Sequence, residues 1–495
     1  MARSEQPAAP KRAGWNSENR QNHLYKPFLR GSLIAVLTIG CTFGAINLAV
    51  MGFGADLHAV WTSLIQAHAY SQIFGWVGLF IMGIAYHTMT RFWLRPLRRP
   101  ALVRPAFVLV VAGLVLRFLS QPFASNPVAA AIMVTSAVLG LAGVSLFVWA
   151  MFETMHLGDD SSHAPSAAKW FMAVGFAWLW LASLATVVVL GYLAAQGLDT
   201  IPPDWDAPYL RITLGGAIVT IIMGYTLRTV PAFMGLRIRP PGVYRPVLVG
   251  YTGAIVLEAL GESGALGPVS GVLRAAGGLG ELAALGAFVW LLNLYAPRAR
   301  QGTTQQERNP WPTRFIKTAY AWLLIAACLN AAFGVAGLAA PVPHAFVASY
   351  HHALTVGFIS LMIVGMSMRL VPVFVTRMMR NPAPAGVIFA LLLGGNTLRV
   401  LTESLAYLYG EPYYLLMGLS GFIEVAGLAY YAVLLWRALD QPSYGAGAAA
   451  QAFQDVTGRA PTRPVIALDA QPPRPAPAAD RERAPEREPV AGRRT

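Results

Sequence analysis

The chain has 495 residues, of which 56% are hydrophobic and only 12% are charged. About a quarter of the residues in an average soluble domain are charged, so this composition excludes an ordinary soluble protein and indicates a membrane protein. The net charge of +14 is expected in the loops of such a protein, and it predicts no nucleic-acid partner.

Twelve apolar runs predict twelve transmembrane helices, because each run is long enough to cross about 30 Å of hydrocarbon and none alternates as a barrel strand does. In chain order the helices are predicted over residues 30–53, 61–90, 103–121, 128–152, 168–195, 205–233, 244–262, 271–296, 314–338, 343–374, 384–408 and 412–437. The predicted fold class is an all-α polytopic membrane protein embedded in the lipid bilayer. Residues 1–28 and 441–495 are predicted to be disordered tails beside a 29–440 transmembrane domain, since they are too polar to bury a core.

The charges of the predicted loops alternate in sign along the chain. Basic residues concentrate before the first helix and in most even-numbered loops, whereas the fifth loop carries Asp199, Asp204 and Asp206. The positive-inside rule therefore predicts that both termini lie in the cytoplasm. Cys41 and Cys328 both lie in apolar runs and no Cys-x-x-Cys-His motif occurs, which excludes a disulfide framework, a zinc–thiolate site and covalently attached haem.

An internal repeat of 141 residues is the most specific pattern in the chain. Glycines recur at this interval at Gly83, Gly224 and Gly365, and other apolar positions match in the same register. The copies span about 29–169, 170–310 and 311–440. Each copy contains four predicted helices, so the three parallel four-helix repeats are expected to have pseudo-threefold symmetry about the membrane normal. Chance recurrence of glycine in membrane helices is the alternative interpretation.

Three of the histidines in the apolar runs lie at nearly the same depth, where ionisable side chains are costly and indicate function. His68 falls in the second predicted helix, and the adjacent His351 and His352 fall in the tenth. In the repeat these positions lie within two residues of each other, or about 3 Å of axial rise. Imidazoles from the two helices could therefore hold opposite faces of a planar cofactor, which suits haem better than zinc. A hydrogen bond to a neighbouring helix is the alternative for each histidine.

Three arginines in the apolar runs are candidates for binding the carboxylates of such a cofactor. Arg117 and Arg399 occupy equivalent positions in the repeat, and Arg211 begins the sixth helix at the depth of the histidines. The planar guanidinium group pairs with carboxylates in a bidentate manner. For Arg399 an internal salt bridge with Glu403, four residues later, is an equal alternative.

Several carboxylates also lie within the predicted helices. Glu258 occupies the repeat position of Arg117, and Glu262 follows one turn later. These two side chains could bind a cation, relay protons or pair with neighbouring arginines. Glu281 and Glu424, in the eighth and twelfth helices, extend the predicted polar path.

The stretches that begin His68-Ala-Tyr-Ser and His352-Ala-Leu-Thr resemble the NnrS family. The twelve helices in three arcs resemble the catalytic subunit of haem-copper oxidases and nitric oxide reductases. The resemblance implies a haem-b membrane protein of bacterial nitric oxide and nitrite metabolism or nitrosative-stress defence. It implies His68 and His352 as ligands of one haem b, with His351 available for a second haem, copper or iron, and a protein or quinol as electron donor.

Two departures from these families leave enzymatic activity open. The sixth and seventh predicted helices contain no histidine, so the copper site of the oxidases is absent as such, although an oxidoreductase acting on nitric oxide remains compatible with the sequence. The family's His-Ala-His start of the second helix is changed, because Gln66 stands first. The competing function is a cofactor-free transporter or channel, in which the same His, Arg and Glu residues line a substrate or proton path.

Overall fold

The computed structural model describes residues 23–53, 61–93, 97–155, 167–237, 239–296, 309–375, 383–410 and 412–440. Within these ranges twelve helices are long and apolar enough to cross a membrane, and no strand occurs. The predicted all-α twelve-helix fold is therefore confirmed, and the chain is a multi-pass membrane protein. Most of the first predicted tail, residues 1–22, and the whole of the second, residues 441–495, lie outside the described residues.

The helices are named α1 to α12 in chain order. Their bounds are Lys26–Val50, Thr62–Phe92, Pro100–Phe123, Pro127–Met155, Ala167–Gln196, Pro203–Met234, Pro241–Glu262, Pro268–Leu292, Trp311–Ala336, His344–Pro372, Ala383–Tyr409 and Tyr413–Leu439. The sequence predicted these bounds to within a few residues. At the start of α1, Tyr25 and Phe28 are buried, so this helix packs from its first turn.

Three helices occupy the centre of the bundle. The most apolar windows of α2, α6 and α10 are 94%, 83% and 89% buried, whereas those of the other nine described helices are between 33% and 56% buried. The outer helices expose large apolar side chains such as Val249 and Trp290, which suits contact with lipid. A polar group placed on a central helix is therefore shielded by protein on most sides.

Each central helix contains a π-helical segment near its N-terminal end. The segments are Ser71–Gly78, Arg211–Val219 and Ala353–Ser360, and they begin 140 and 142 residues apart. A π turn bonds residue i to i+5 and widens the helix, and such segments occur frequently at functional sites. In α2 and α10 the segment directly follows the turn that carries the candidate histidines.

The central helices pack closely on the helices that precede them through glycines. The pairs in contact are Gly83 with Phe28, Gly224 with Phe171, and Gly365 with Phe315. A Cβ added to these glycines would lie between 2.6 and 3.2 Å from the Cβ of the phenylalanine, so the helices could not approach as closely with a larger residue. Because glycines at the repeat interval make similar contacts, these contacts agree with the predicted repeat. The rotational symmetry of the three copies stays a prediction.

Candidate functional site

The N-terminal halves of α2 and α10 bring two of the predicted histidines near each other. His352 and Arg399 lie within electrostatic range of the His68 ring, and Glu403 lies beside both of these residues. With Asn396, which is fully buried on α11, these five side chains are called the histidine cluster. It lies among α1, α2, α10 and α11, as far as the described residues show.

The His68 ring is held by a backbone carbonyl of α1. Its Nδ1 atom lies 3.0 Å from the Gly40 carbonyl oxygen, at the end of a short π-helical segment in α1. A carbonyl oxygen only accepts, so Nδ1 carries the proton and the lone pair of the neutral ring is on Nε2. The ring lies against Gly44, where an added Cβ would be 2.6 Å from Cε1. The sequence therefore provides both the acceptor and the space for this side chain.

The His352 ring has the same hydrogen-bonding arrangement. Its Nδ1 atom lies 3.0 Å from the Ala348 carbonyl oxygen and 3.1 Å from Oε2 of Glu403. The carbonyl takes the better-aligned hydrogen bond, and the carboxylate adds an electrostatic contact. Both neighbours are acceptors, so the proton is again on Nδ1 and the lone pair is on Nε2. A histidine that binds a metal through one nitrogen almost always donates from the other to such an acceptor.

The histidines retain accessible surface although they lie on the most buried helices. The side chain of His352 is 28% exposed, and His68 and His351 are half-buried. The three imidazoles therefore keep part of their surface free of contact with protein.

Several buried polar atoms near the histidines have no hydrogen-bond partner among the described residues. They are both amide atoms of Asn396, Nε and Nη1 of Arg399, Oε2 of Glu403, Oε1 of Glu424, Nδ2 of Asn47 and Oε1 of Gln72. Arg399 donates only from Nη2, to Glu403 Oε1 at 3.1 Å. Buried polar groups in proteins are nearly always paired, so this concentration of unpaired atoms points to a ligand that the histidine cluster is built to bind.

Arg211 lies in a separate group, which we call the arginine cluster. The guanidinium group pairs with Glu258 at 2.7 Å, Glu262 at 2.8 Å and Glu281 at 3.5 Å, and it donates to Asn330 Oδ1 at 2.9 Å. It also donates to the Tyr350 hydroxyl at 2.7 Å. All three guanidinium nitrogens are therefore occupied by protein, and Arg211 has no donor left for a cofactor carboxylate. The structure does not bring it together with Arg399.

Arg117 also lies apart from the histidine cluster. Its Nε donates to Gln121 at 3.0 Å, and its guanidinium lies over the Tyr70 ring, 4.3 Å from the centroid. Gln121 donates in turn to Gln66 at 3.2 Å, and Gln66 exchanges two hydrogen bonds with the backbone of Ile201. Gln66 thus anchors the chain before α6 to the start of α2. This contact gives Gln66 a structural role at the position where the resembled family has histidine.

His351 lies near both clusters. Its ring centroid is 5.1 Å from that of Tyr350, and Arg211, His352 and Glu403 lie within electrostatic range of it. His344, at the first turn of α10, is exposed. Among the described residues no group of three or more His, Cys, Asp or Glu side chains is placed to hold a metal ion. A second centre at His351 would therefore have at most two protein ligands of these types among the described residues.

Sequence reasoning missed Asn330 and Asn396, which complete the two clusters. An asparagine within an apolar run was the available signal, because an amide costs free energy in hydrocarbon unless it is paired. It also missed Gly44, whose role depends on the rotation of α1 toward His68 and leaves no mark in the sequence.

Comparisons with known proteins agree with the fold. A family model described as NnrS protein matches residues 27–443. No curated protein matches the chain. Among solved structures, the cryo-EM structure of a haem-copper terminal oxidase dimer superposes with a TM-score of 0.65 at 11% sequence identity, covering 85% of each chain. At this identity the likeness shows the shared fold alone.

Proposed function

Because this chain belongs to the NnrS family, whose model matches residues 27–443, we propose that it is a haem-b protein of bacterial nitric oxide metabolism. It resides in the inner membrane with both termini in the cytoplasm. His68 and His352 would hold one haem, which when bound would let the protein bind nitric oxide or pass electrons to it. The electrons come from a redox partner protein or a quinol.

The observation that carries the proposal is that the two imidazole rings have the same tautomer. In both rings Nδ1 bonds to a backbone carbonyl, which leaves Nε2 as the atom with a free lone pair. Neutral imidazole nitrogen is a common axial ligand of haem iron. A cofactor-free path for protons or solutes does not require that two histidines on different helices share this tautomer.

The surrounding residues suit a haem in physical terms. Arg399 has two unpaired guanidinium donors in the buried cluster, and a haem carboxylate would supply the missing acceptors. Glu403 and the Ala348 carbonyl orient the His352 ring and make its Nε2 a stronger donor to a metal. Haem, when bound, supplies one-electron redox chemistry at this place, and the apolar helices around it exclude water.

His351 decides which of the two activities the protein has. Iron held by two protein nitrogens has no position for a gas, so the His68 and His352 pair serves electron transfer. His351 is adjacent to His352 in the chain, but its ring contacts Tyr350 on another face of α10. If His351 alone holds a second haem or metal, that centre keeps an open position for nitric oxide.

An optical spectrum of the detergent-purified protein tests the proposal. Wild-type protein is expected to show a Soret band and the pyridine haemochrome spectrum of haem b. His68→Ala and His352→Ala should each lose the low-spin signature, whereas His344→Ala, at an exposed position, should keep it. Cells should be supplied with a haem precursor, and size-exclusion chromatography should show that each variant is folded.

Two outcomes would contradict the proposal. A colourless wild-type protein from haem-supplied cells would favour the cofactor-free transporter, and so would a Soret band that neither histidine substitution changes. A low-spin spectrum that persists in His351→Ala, together with lost nitric oxide binding, would assign the open position to His351.

A further inference from the structure

The arginine cluster contains more negative than positive charge. Glu258, Glu262 and Glu281 all lie within 3.5 Å of Arg211, and Arg211 is the one cation that contacts them in the described part of the chain. The side chains of all three carboxylates are at most 8% exposed. One guanidinium cannot balance three ionised carboxylates in this environment, and buried charges without partners are strongly disfavoured.

Two of the carboxylates converge on one buried amide group. Asn330 Nδ2 donates to Glu258 Oε2 at 3.0 Å and to Glu281 Oε2 at 2.6 Å, so both oxygens lie around one nitrogen atom. Like charges brought together in a buried site favour the uptake of a proton by one of the pair.

An unpaired oxygen identifies where such a proton can be accommodated. Glu258 is fully buried, and its Oε1 atom has no hydrogen-bond partner among the described residues. A carboxylate oxygen in this position lacks any donor, whereas a protonated carboxyl can use it as a hydroxyl. Glu262 differs, because both of its oxygens accept hydrogen bonds from Arg211, Oε1 from Nη2 at 2.8 Å and Oε2 from Nε at 3.5 Å.

We propose that Glu258 and Glu281 share one bound proton, which makes the arginine cluster a proton-binding site within the membrane domain. Both oxygens of Glu262 are paired with Arg211, so the proton is assigned to the other two carboxyl groups. The titratable or charged groups that face the pair from the surrounding helices are Arg211, Tyr251, Glu262, Tyr350 and His351. Arg274, earlier on α8, makes no ion pair with the cluster among the described residues.

The position of the cluster suggests what the proton is for. The Tyr350 hydroxyl, 2.7 Å from Arg211 Nη1, connects the cluster to α10 beside His351 and His352. A proton held here compensates the charge of an electron that arrives at α10. This role rests on the proposed function, whereas the existence of the shared proton does not.

Infrared spectroscopy of the purified protein in lipid tests the shared proton without any need for a cofactor. A protonated carboxyl has a C=O stretch above the amide band, and this stretch shifts down in D2O. Wild-type protein at neutral pH should show this band, and Glu258→Gln and Glu281→Gln should each lose a component of it. Glu262→Gln and the exposed Glu153→Gln should keep that component.

Thermal unfolding provides a second measurement that does not depend on band assignment. Glutamine is a neutral isostere of a protonated glutamate, so at least one of Glu258→Gln and Glu281→Gln should keep the wild-type Tm, whereas Glu262→Gln should lower it. An unchanged infrared band in both variants would overturn the proposal, and so would failure of both to fold. A Tm that rises with added sodium, potassium or calcium while the band is absent would assign a metal cation in place of the proton.

The role in charge compensation has its own readout. In wild-type protein the midpoint potential of the bound haem should depend on pH, and this dependence should be reduced in Glu258→Gln or Glu281→Gln. A pH dependence that is equal in wild type and both variants would remove the coupling. A protein without haem would remove the proposed function but would leave the infrared result unaffected.

Discussion

The histidine cluster and the arginine cluster lie on different faces of α10. They differ in how many of their buried polar atoms are paired with other protein atoms. Tyr350 and His352 are two residues apart, or about 200° around α10, and each contacts one cluster. The arginine cluster is tightly paired, with one unpaired carboxylate oxygen among its charged groups. In the histidine cluster Asn396 and Arg399 have four unpaired buried atoms.

This difference separates polar groups that support the fold from polar groups that await a ligand. A buried network whose members satisfy one another contributes rigidity, and the loss of one member leaves charges stranded. A buried group that the protein leaves unpaired costs free energy until something binds. Loss of Arg211 or Asn330 from the arginine cluster should therefore lower stability, whereas substitutions in the histidine cluster should lower cofactor occupancy.

The largest effect is expected for Arg211→Ala. Removal of this guanidinium leaves Glu258, Glu262 and Glu281 without a cation, and breaking one buried pair costs about 3–5 kcal/mol. The variant should yield little folded protein by fluorescence-detected size-exclusion chromatography. The matched control is Arg99→Ala, because Arg99 forms an exposed pair with Glu153 and such pairs contribute little. Comparable yields for the two variants would contradict a stabilising role for the arginine cluster.

Asn330→Leu should have the next largest effect. Asn330 accepts from Arg211 and donates to Glu258 and Glu281, so leucine leaves three charged groups short of a partner. A buried hydrogen bond to a charged group is worth about 1.5–3 kcal/mol, and the Tm of the variant should fall clearly below that of wild type. An unchanged Tm would mean that the amide does not bridge the carboxylates.

Gly44→Ala tests the histidine cluster, because the alanine side chain would fill the space that the His68 ring occupies beside Gly44. The added methyl group would lie 2.6 Å from Cε1 of His68, so the ring must rotate or move away from its hydrogen bond with Gly40. Overpacking of this kind costs about 1–3 kcal/mol, and the haem content per protein should fall more than the folded yield. Gly191→Ala is the matched control, since nothing lies within 4 Å of its added Cβ. Equal haem content in both variants would show that the position of His68 does not matter.

The sequence predicts some features of this molecule well, and the reason is physical. Hydropathy and the cost of ionisable groups in lipid are enough to mark the twelve helices and the histidines of α2 and α10. Neither property reports how a helix is rotated about its own axis. Arg211 and Arg399 are therefore equal candidates in the sequence, although only Arg399 lies with His68 and His352. The π-helical segments, which shift the rotation of the side chains that follow, likewise leave no clear pattern.

Asn396→Leu should have the smallest effect on stability, and it provides the sharpest contrast with Asn330→Leu. Both asparagines are buried on helices next to α10, but neither amide atom of Asn396 has a partner among the described residues. Replacement removes an unpaired polar group and leaves no other group stranded, and such a change is close to neutral or stabilising. In haem-free protein the free energy of unfolding should therefore stay within about 1 kcal/mol of the wild-type value.

The same variant should weaken cofactor binding if Asn396 contributes a hydrogen bond to the bound haem. Titration of haem into the haem-free Asn396→Leu and wild-type proteins measures this effect directly. Asn330→Leu is the opposite case, in which stability should fall and haem affinity should not. Loss of stability in Asn396→Leu with unchanged haem affinity would show that its amide is paired within the protein. The distinction between the two clusters would then fail, because the unpaired atoms would no longer indicate a ligand.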